Sequence, residues 1–437
     1  MSIGNQSEVK KMQKQIKELL NKTNNVNRSA YIWNAINACM SAAESPIILM
    51  VLARTNGLED SGIFSIAFAV AALLLYLGQY GFRRFQSSDV SEKYTFEEYY
   101  GSRIISCGAM FVATIIYCIY GAVFRGYSAS KFAVVFLMCM LKGIQAFSDV
   151  LHGRMQQMGR LDVATKASCA RYIFEMLSFV LVLIIANNLL AASIVCVAVS
   201  FAVFMLTSYN AAKDFGTLKP SFKMDRMKLM FIEGFPLFVS LFLNMYLSNA
   251  PKYAIDAYLD ETTQALYNMV FMPAFVIQLI AHFIFNPIIT TYAEVWQAGK
   301  VKKFKKLVLR QCLVILGLTV LAVIIALTIG IPILSWFFGT ELGAYKMELL
   351  VVVLGGGMLA YSVFFNTVIT IVRLHKTLLY SYVATAVAAL ILSKYFVVNF
   401  GIMGAVVLYG VLMTILAGIL AAITFRKIYK EERTIND

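Results

Sequence analysis

Residues 61–84 read SGIFSIAFAVAALLLYLGQYGFRR. Twenty-two uncharged, mostly apolar residues end abruptly on Arg83-Arg84. An α-helix rises about 1.5 Å per residue, so such a run covers the roughly 30 Å hydrocarbon core of a bilayer. The arginines stop it at the water interface. Eleven more runs of comparable length follow the same grammar, and together they divide the chain into spans at roughly 28–53, 61–82, 101–124, 130–152, 168–188, 190–212, 231–250, 266–290, 307–334, 347–372, 378–398 and 402–425. The basic residues fall on one side of this series. The two termini and the loops after even-numbered spans hold 31 of the 38 Lys and Arg; the other side holds Arg54, Arg125, Lys131, Lys252, Lys346 and Lys394, and Lys142 lies inside span 4. Excess positive charge in short loops marks the cytoplasmic side, so the expected fold is an all-α membrane protein with twelve transmembrane helices and both ends in the cytoplasm.

Composition narrows the function. The chain is 60% hydrophobic and 14% charged, with 7 Pro in 437 residues, which excludes an ordinary soluble domain. The net charge of +14 sits in short loops beside the membrane, so no nucleic acid is implied. The seven cysteines lie at or within spans without a CxxC spacing, and the three histidines are scattered, so no disulfide framework, metal site or cofactor is expected. No phosphate-binding loop and no supported Ser-His-Asp set occurs, which leaves catalysis and ATP hydrolysis without a basis. Residues 1–27 form a polar tail, not a secretory signal. Within it, Val9, Met12, Ile16 and Leu19 share one helical face, which reads either as a helix lying on the inner leaflet or as a solvated tail.

The loops repeat six spans apart. Span 2 leads into a basic loop in which Phe96 precedes a new span, and span 8 leads into one in which Phe304 does so. Spans 5 and 6 join at Asn187-Asn188, and spans 11 and 12 at Asn399-Phe400-Gly401. Two pseudo-symmetric six-helix lobes with a central cleft are expected: 28–222 and 223–437, behind the tail 1–27. Repeats of this kind place a transport site at the repeat interface.

Polar side chains inside a span are costly unless they face protein or water. Span 1 carries Asn34, Asn37, Ser41 and Glu44, and span 4 carries Lys142, Gln145, Asp149, His152 and Gln156, each set on one helical face. In the second half, Asn244 belongs to a stripe in span 7, and Gln278, His282 and Asn286 to one in span 8. Glu44 precedes Ser45-Pro46, where the helix is expected to bend. Its carboxylate could carry a coupling proton or bond structurally to neighbouring helices; Asp149 is the second such candidate. Asp149 stands two turns, about 10 Å, from Lys142, too far for a bridge within one helix. Lys142 therefore requires an interhelical ion partner, water or an anionic ligand. Arg171 and Glu175, four residues apart, read as a structural pair, and Gly401, Gly404, Gly410 and Gly418 as close helix packing.

These residues resemble a known group. Arg54-Thr55-Asn56-Gly57 with Ser61-Gly62-Ile63-Phe64-Ser65, the stretch 78–90 (GQYGFRRFQSSDV) and the following 94–103, then Asn249 to Asp256, Phe271 to Val276 and Gly401 with Gly404-Ala405 are similar to polysaccharide flippases of the multidrug/oligosaccharidyl-lipid/polysaccharide exporter superfamily. The resemblance implies a Wzx-type flippase of the bacterial cytoplasmic membrane. Such a protein moves an undecaprenyl-diphosphate-linked oligosaccharide outward for surface polysaccharide assembly by alternating access. Membrane lipid is its surroundings, and a polysaccharide polymerase and ligase are its pathway partners. No catalytic residues carry over, since such proteins break no bond in their cargo. Lys142, Lys252, Arg54 and Arg103 suit an anionic ligand, with Asn34, Asn37, Gln145, Asn244 and Gln278 for its hydroxyls. Glu44 and Asp149 keep open the alternative of a cation-coupled multidrug exporter of the same superfamily.

Overall fold

In lipid no water is available to the backbone, and each unsatisfied N–H or C=O costs several kcal/mol, so long apolar runs resolve as helices. The computed structural model describes residues 3–89, 92–285, 289–372 and 374–436, and no strand occurs among the described residues. The elements are α1 (Ile3–Asn21), α2 (Val26–Thr55), α3 (Leu58–Gln79), α4 (Phe82–Ser88), α5 (Phe96–Phe124), α6 (Ala129–Gln157), α7 (Leu161–Ala186), α8 (Leu189–Phe204), α9 (Met224–Tyr258), α10 (Glu261–Phe285), α11 (Ile289–Gln297), α12 (Val301–Ile325), α13 (Ile331–Phe338), α14 (Lys346–Ile371) and α15 (His375–Asn436). Among the described residues, ten helices are long and apolar enough to cross a membrane. One of these, Thr377–Arg433, holds both of the last two spans. It turns at Gly401, whose φ of 56° and ψ of −131° break the helix. The eighth span begins on α10, so the twelve apolar runs all fall on helices as far as the described residues reach.

Several helix starts are encoded locally. Asn25 accepts from the Arg28 amide at 3.0 Å to open α2, and Asn188 from the Ala191 amide at 2.9 Å to open α8. Thr95 and Glu98 form a reciprocal capping box at the start of α5.

The chain divides into two compact units, Met1–Phe242 and Leu243–Asp437. The division falls inside α9, whereas the loop pattern in the sequence puts the lobe boundary at 222/223. In the first unit α6 is central and packs against α3, α5 and α8, while α2 lies along α7. Gly101 lets α5 approach the linker: a Cβ there would stand 2.2 Å from the Ser221 carbonyl oxygen. Helix α1 docks on the same unit. Ile16 and Leu20 join its core, and Lys166 Nζ donates to the carbonyls of Leu20 (3.1 Å) and Lys22 (3.0 Å). Those carbonyls end a helix and have no partner within it, so an ammonium is well placed there. Met12 and Leu19, on the apolar face read from sequence, stay exposed.

In the second unit α14 packs between α10 and α15. Of the glycines read as packing sites, Gly404 approaches the Phe396 carbonyl and Gly410 meets Gly355, but Gly418 has open space beside it. Both units present large apolar side chains outward, among them Phe124, Ile185 and Trp336, each more than 70% exposed. So much bare apolar surface would aggregate in water and matches the acyl chains of a bilayer. The protein is a multi-pass membrane protein.

Candidate functional site

The polar stripes of α2 and α6 meet in the first unit. Lys142 Nζ donates to Glu44 Oε2 at 2.6 Å, and both side chains are nearly water-free, 6% and 2% exposed. Neither residue could be left there alone. A buried charge without its partner costs several kcal/mol. Lys142 also stands 4.4 Å above the ring of Phe68, a cation–π contact from α3. On α7, Arg171 donates to Glu175, and Ser200 of α8 donates to the same carboxylate. Tyr172 donates to Ser41 of α2 at 3.2 Å. Two cations and two carboxylates are thus held on three neighbouring helices, α2, α6 and α7, with Ser200 reaching in from α8. Charges at such depth are answered by one another, and their field is strong because little water screens it.

The cluster is incompletely satisfied. Asn37 Oδ1, Gln145 Oε1 and Glu175 Oε2 are buried acceptors without a protein donor. A buried acceptor left unmade costs about 1–3 kcal/mol, so these atoms call for water or for a ligand's donors. Asn37 lies two turns from Glu44 on α2, and Gln145 one turn from Lys142 on α6.

Nearer the end of α6, the stripe residue Asp149 meets two arginines. Asp149 Oδ2 accepts from Arg103 Nη2 at 2.9 Å, and its Oδ1 from Arg83 Nη1 at 3.3 Å. Arg103 is wholly buried and also donates to the Gly78 carbonyl at 2.7 Å. His152 is bonded to Ser208 at 2.9 Å. The structure therefore joins Glu44 with Lys142 and Asp149 with Arg103. Asn34 and Arg54 are exposed on α2. Lys252 and Asn244 lie on α9 in the second unit, Lys252 buried with its ammonium 5.4 Å from the Phe271 ring. The side chains of Gln278 and His282, and Asn286 altogether, lie outside the described residues.

Sequence reasoning did not single out Arg83 or Ser200. Arg83 read as one of many loop cations, and a serine in an apolar span carries no signal until its neighbour is known. Arg171 and Glu175 were legible as a pair by their spacing, but not as part of a larger cluster.

Helices bundled across a membrane around buried charges are the build of a transporter. The chain resembles the inward-facing conformation of a multidrug resistance MATE family transporter of the MOP superfamily, with a TM-score of 0.68 at 14% identity over 93% of this chain and 99% of that one. It also resembles the bent form of the Vibrio cholerae MATE transporter VcmN, with a TM-score of 0.56 at 11% identity over 96% and 99%. At these identities the likeness is one of fold. The chain belongs to the polysaccharide biosynthesis protein family, whose model matches residues 32–293. It is 20% identical over 337 residues to the capsular polysaccharide biosynthesis protein CapF of Staphylococcus aureus, covering 76% of this chain and 82% of that protein.

Proposed function

We propose that this protein flips an undecaprenyl-diphosphate-linked oligosaccharide from the inner to the outer face of the bacterial cytoplasmic membrane, by alternating access, with both termini in the cytoplasm. The supporting observation is the buried Glu44–Lys142 pair with the orphaned acceptors Asn37 and Gln145 on the same two helices, in a chain of a polysaccharide biosynthesis family. A sugar head with a diphosphate cannot enter hydrocarbon, since each bare polar group costs several kcal/mol. Its polyprenyl tail stays in lipid. The protein has only to solvate the head and let it through, so no covalent bond is made or broken and no catalytic group is required. Orphaned acceptors suit sugar hydroxyls, and the Lys142 ammonium suits a phosphate. A polysaccharide polymerase and ligase would take up the cargo on the far side.

Arrival of a diphosphate would set it in competition with Glu44 for Lys142. Glu44, deprived of its cation two residues before Pro46, would then be the candidate to carry a coupling ion. The membrane potential, negative inside, adds about 2.3 kcal/mol per charge per 100 mV in favour of an anion leaving. A cation-coupled multidrug exporter would share this fold, but the match to a polysaccharide biosynthesis family favours the anionic lipid-linked cargo.

The test is Glu44→Gln. A glutamine keeps the hydrogen bond to Lys142 but cannot ionise. The variant leaves Lys142 a hydrogen bond but no counter-charge, so thermal unfolding and membrane insertion are measured alongside, with Glu44→Asp as the control that keeps the charge. Glu44→Gln should lose flipping in proteoliposomes beyond any loss of folded protein, while Glu44→Asp retains it, and a strain carrying Glu44→Gln should accumulate lipid-linked precursor with no surface polysaccharide. Flipping at the wild-type rate would remove Glu44 from the coupling step.

A further inference from the structure

Helix α12 carries two opposite rows of side chains. Val301, Phe304, Val308, Gln311 and Ile315, spaced 3-4-3-4, are buried. On the other side Lys302, Lys306, Leu309, Leu313, Leu316 and Val320, spaced 4-3-4-3-4, are exposed. Each spacing keeps to a single helical face. The leucines of the second row are bare apolar surface, Leu313 being 68% exposed, and so face acyl chains. The cations are the first members of that same lipid-facing row, and Arg310 borders it beside Leu309. From Lys302 to Arg310 the helix rises about 12 Å. That is enough to run from the hydrocarbon edge out through a headgroup layer roughly 5–7 Å thick.

We propose that the Lys302–Lys306–Arg310 stripe of α12, together with Arg426 and Arg433 at the end of α15, is a docking surface for the anionic headgroups of bilayer phospholipid. The proposal is independent of the cargo. The end of α15 is tied to α12 by Lys305, whose ammonium donates to Glu432 at 2.9 Å and stands 4.3 Å from the ring of Tyr429. Arg426, Tyr429 and Arg433, spaced 3-4, share an exposed face; a half-exposed tyrosine is an ordinary resident of the membrane interface. The local carboxylates do not neutralise this surface. Glu432 is taken by Lys305 and Glu431 by Lys427. Lys430 is engaged as well and is left out of the balance. Among the described residues from Ile289 to Arg310 and along the end of α15, one exposed carboxylate, Glu294, then stands against seven exposed cations: Lys300, Lys302, Lys303, Lys306, Arg310, Arg426 and Arg433. Like charges four residues apart, as at Lys302, Lys306 and Arg310, weaken a helix. The fold does not answer them, so the counter-charge has to come from outside, and what lies along this row is lipid. Membrane topology alone does not demand such a stripe. The basic loop six spans earlier serves topology equally well, yet its cations are engaged within the protein: Arg83 and Arg103 with Asp149, Lys93 with Glu233 at 2.7 Å, and Arg84 also. Long cationic side chains can lay their stems on the apolar row and hold their heads at the phosphates.

The test reconstitutes the full-length protein in phosphatidylcholine vesicles with spin-labelled phosphatidylglycerol or spin-labelled phosphatidylcholine. Electron paramagnetic resonance reads the fraction of each label immobilised at the protein surface. The wild type should favour the anionic label about threefold or more at low salt. The preference should shrink in 1 M salt, where the screening length is about 3 Å. The combined variant Lys302→Gln, Lys306→Gln, Arg310→Gln should lose most of it, with unchanged thermal unfolding in neutral lipid to show that it is folded. Lys302→Arg with Lys306→Arg keeps the charge and should keep the preference. Lys219→Gln, Lys223→Gln, Lys228→Gln removes the same net charge from exposed positions elsewhere and should behave as wild type. A wild type indifferent to headgroup charge overturns the proposal. So does a stripe variant with wild-type preference, which would leave those cations to topology alone. A control variant that falls as far as the stripe variant overturns it too, because the effect would then belong to net charge and not to this face.

Discussion

At the scale of single residues, Lys142 is stable inside the membrane only while Glu44 answers its charge at 2.6 Å. Lys142→Ala strands a buried carboxylate and should destabilise the protein by about 3–5 kcal/mol, whereas replacing both partners with methionine should restore most of that loss. Thermal unfolding in detergent reads the stability, and flipping in proteoliposomes reads the function. The double variant is expected to be stable and inactive; if it transports, the pair is architecture and nothing more. The sequence says that Lys142 needs a partner, because Asp149 is out of its reach on the same helix. It does not say which. Glu44 is 98 positions away, and proximity between distant spans is set by packing. The same holds for Arg103 and Asp149: each looks like a ligand-binding charge when read alone, and together they hold a third residue, Arg83, in place.

At the scale of elements, several helix starts are written locally, in Asn25, Thr95 and Asn188. The corner between α3 and α4, made by left-handed Tyr80 and Gly81, is less legible: the glycine is visible, but a tyrosine in left-handed backbone is not foreseen from its type. The merged helix α15 depends on Gly401. With φ at 56° and ψ at −131°, any side chain there is strained, so Gly401→Ala should cost about 1–3 kcal/mol. A fall in thermal unfolding midpoint checks this. An unchanged midpoint would mean that the last two spans tolerate a different bend. Helix α1 shows how far amphipathic pattern goes: its periodicity predicts a helix, but Ile16 and Leu20 pack on protein while Met12 and Leu19 remain outside. Pattern gives a face; the surface opposite decides what covers it.

At the scale of the whole molecule, the distribution of lysine and arginine makes a strong topological claim. Single cysteines placed at 83–93, 213–228 and 300–306, in a background cleared of the native cysteines, should be shielded from an impermeant thiol reagent in intact cells. Labelling of the 300–306 loop from outside would overturn the arrangement of twelve spans with both ends inside. Cys39 is the exposed native thiol to remove first, since Cys118, Cys139, Cys169 and Cys196 are buried.

The sequence by itself determined that this chain is helical and crosses a membrane many times, because backbone satisfaction in lipid allows an apolar run of some twenty residues little else than a helix. It also determined the family, through segments whose residues are contiguous. Only the tertiary structure decided which charges meet. The Glu44–Lys142 and Arg103–Asp149 pairs, the guanidinium of Arg83 on Asp149 and the addition of Ser200 to Glu175 all join residues from different helices. Periodicity fixes the direction a side chain faces about its own axis; it carries no information on which neighbouring helix supplies the other half of the contact.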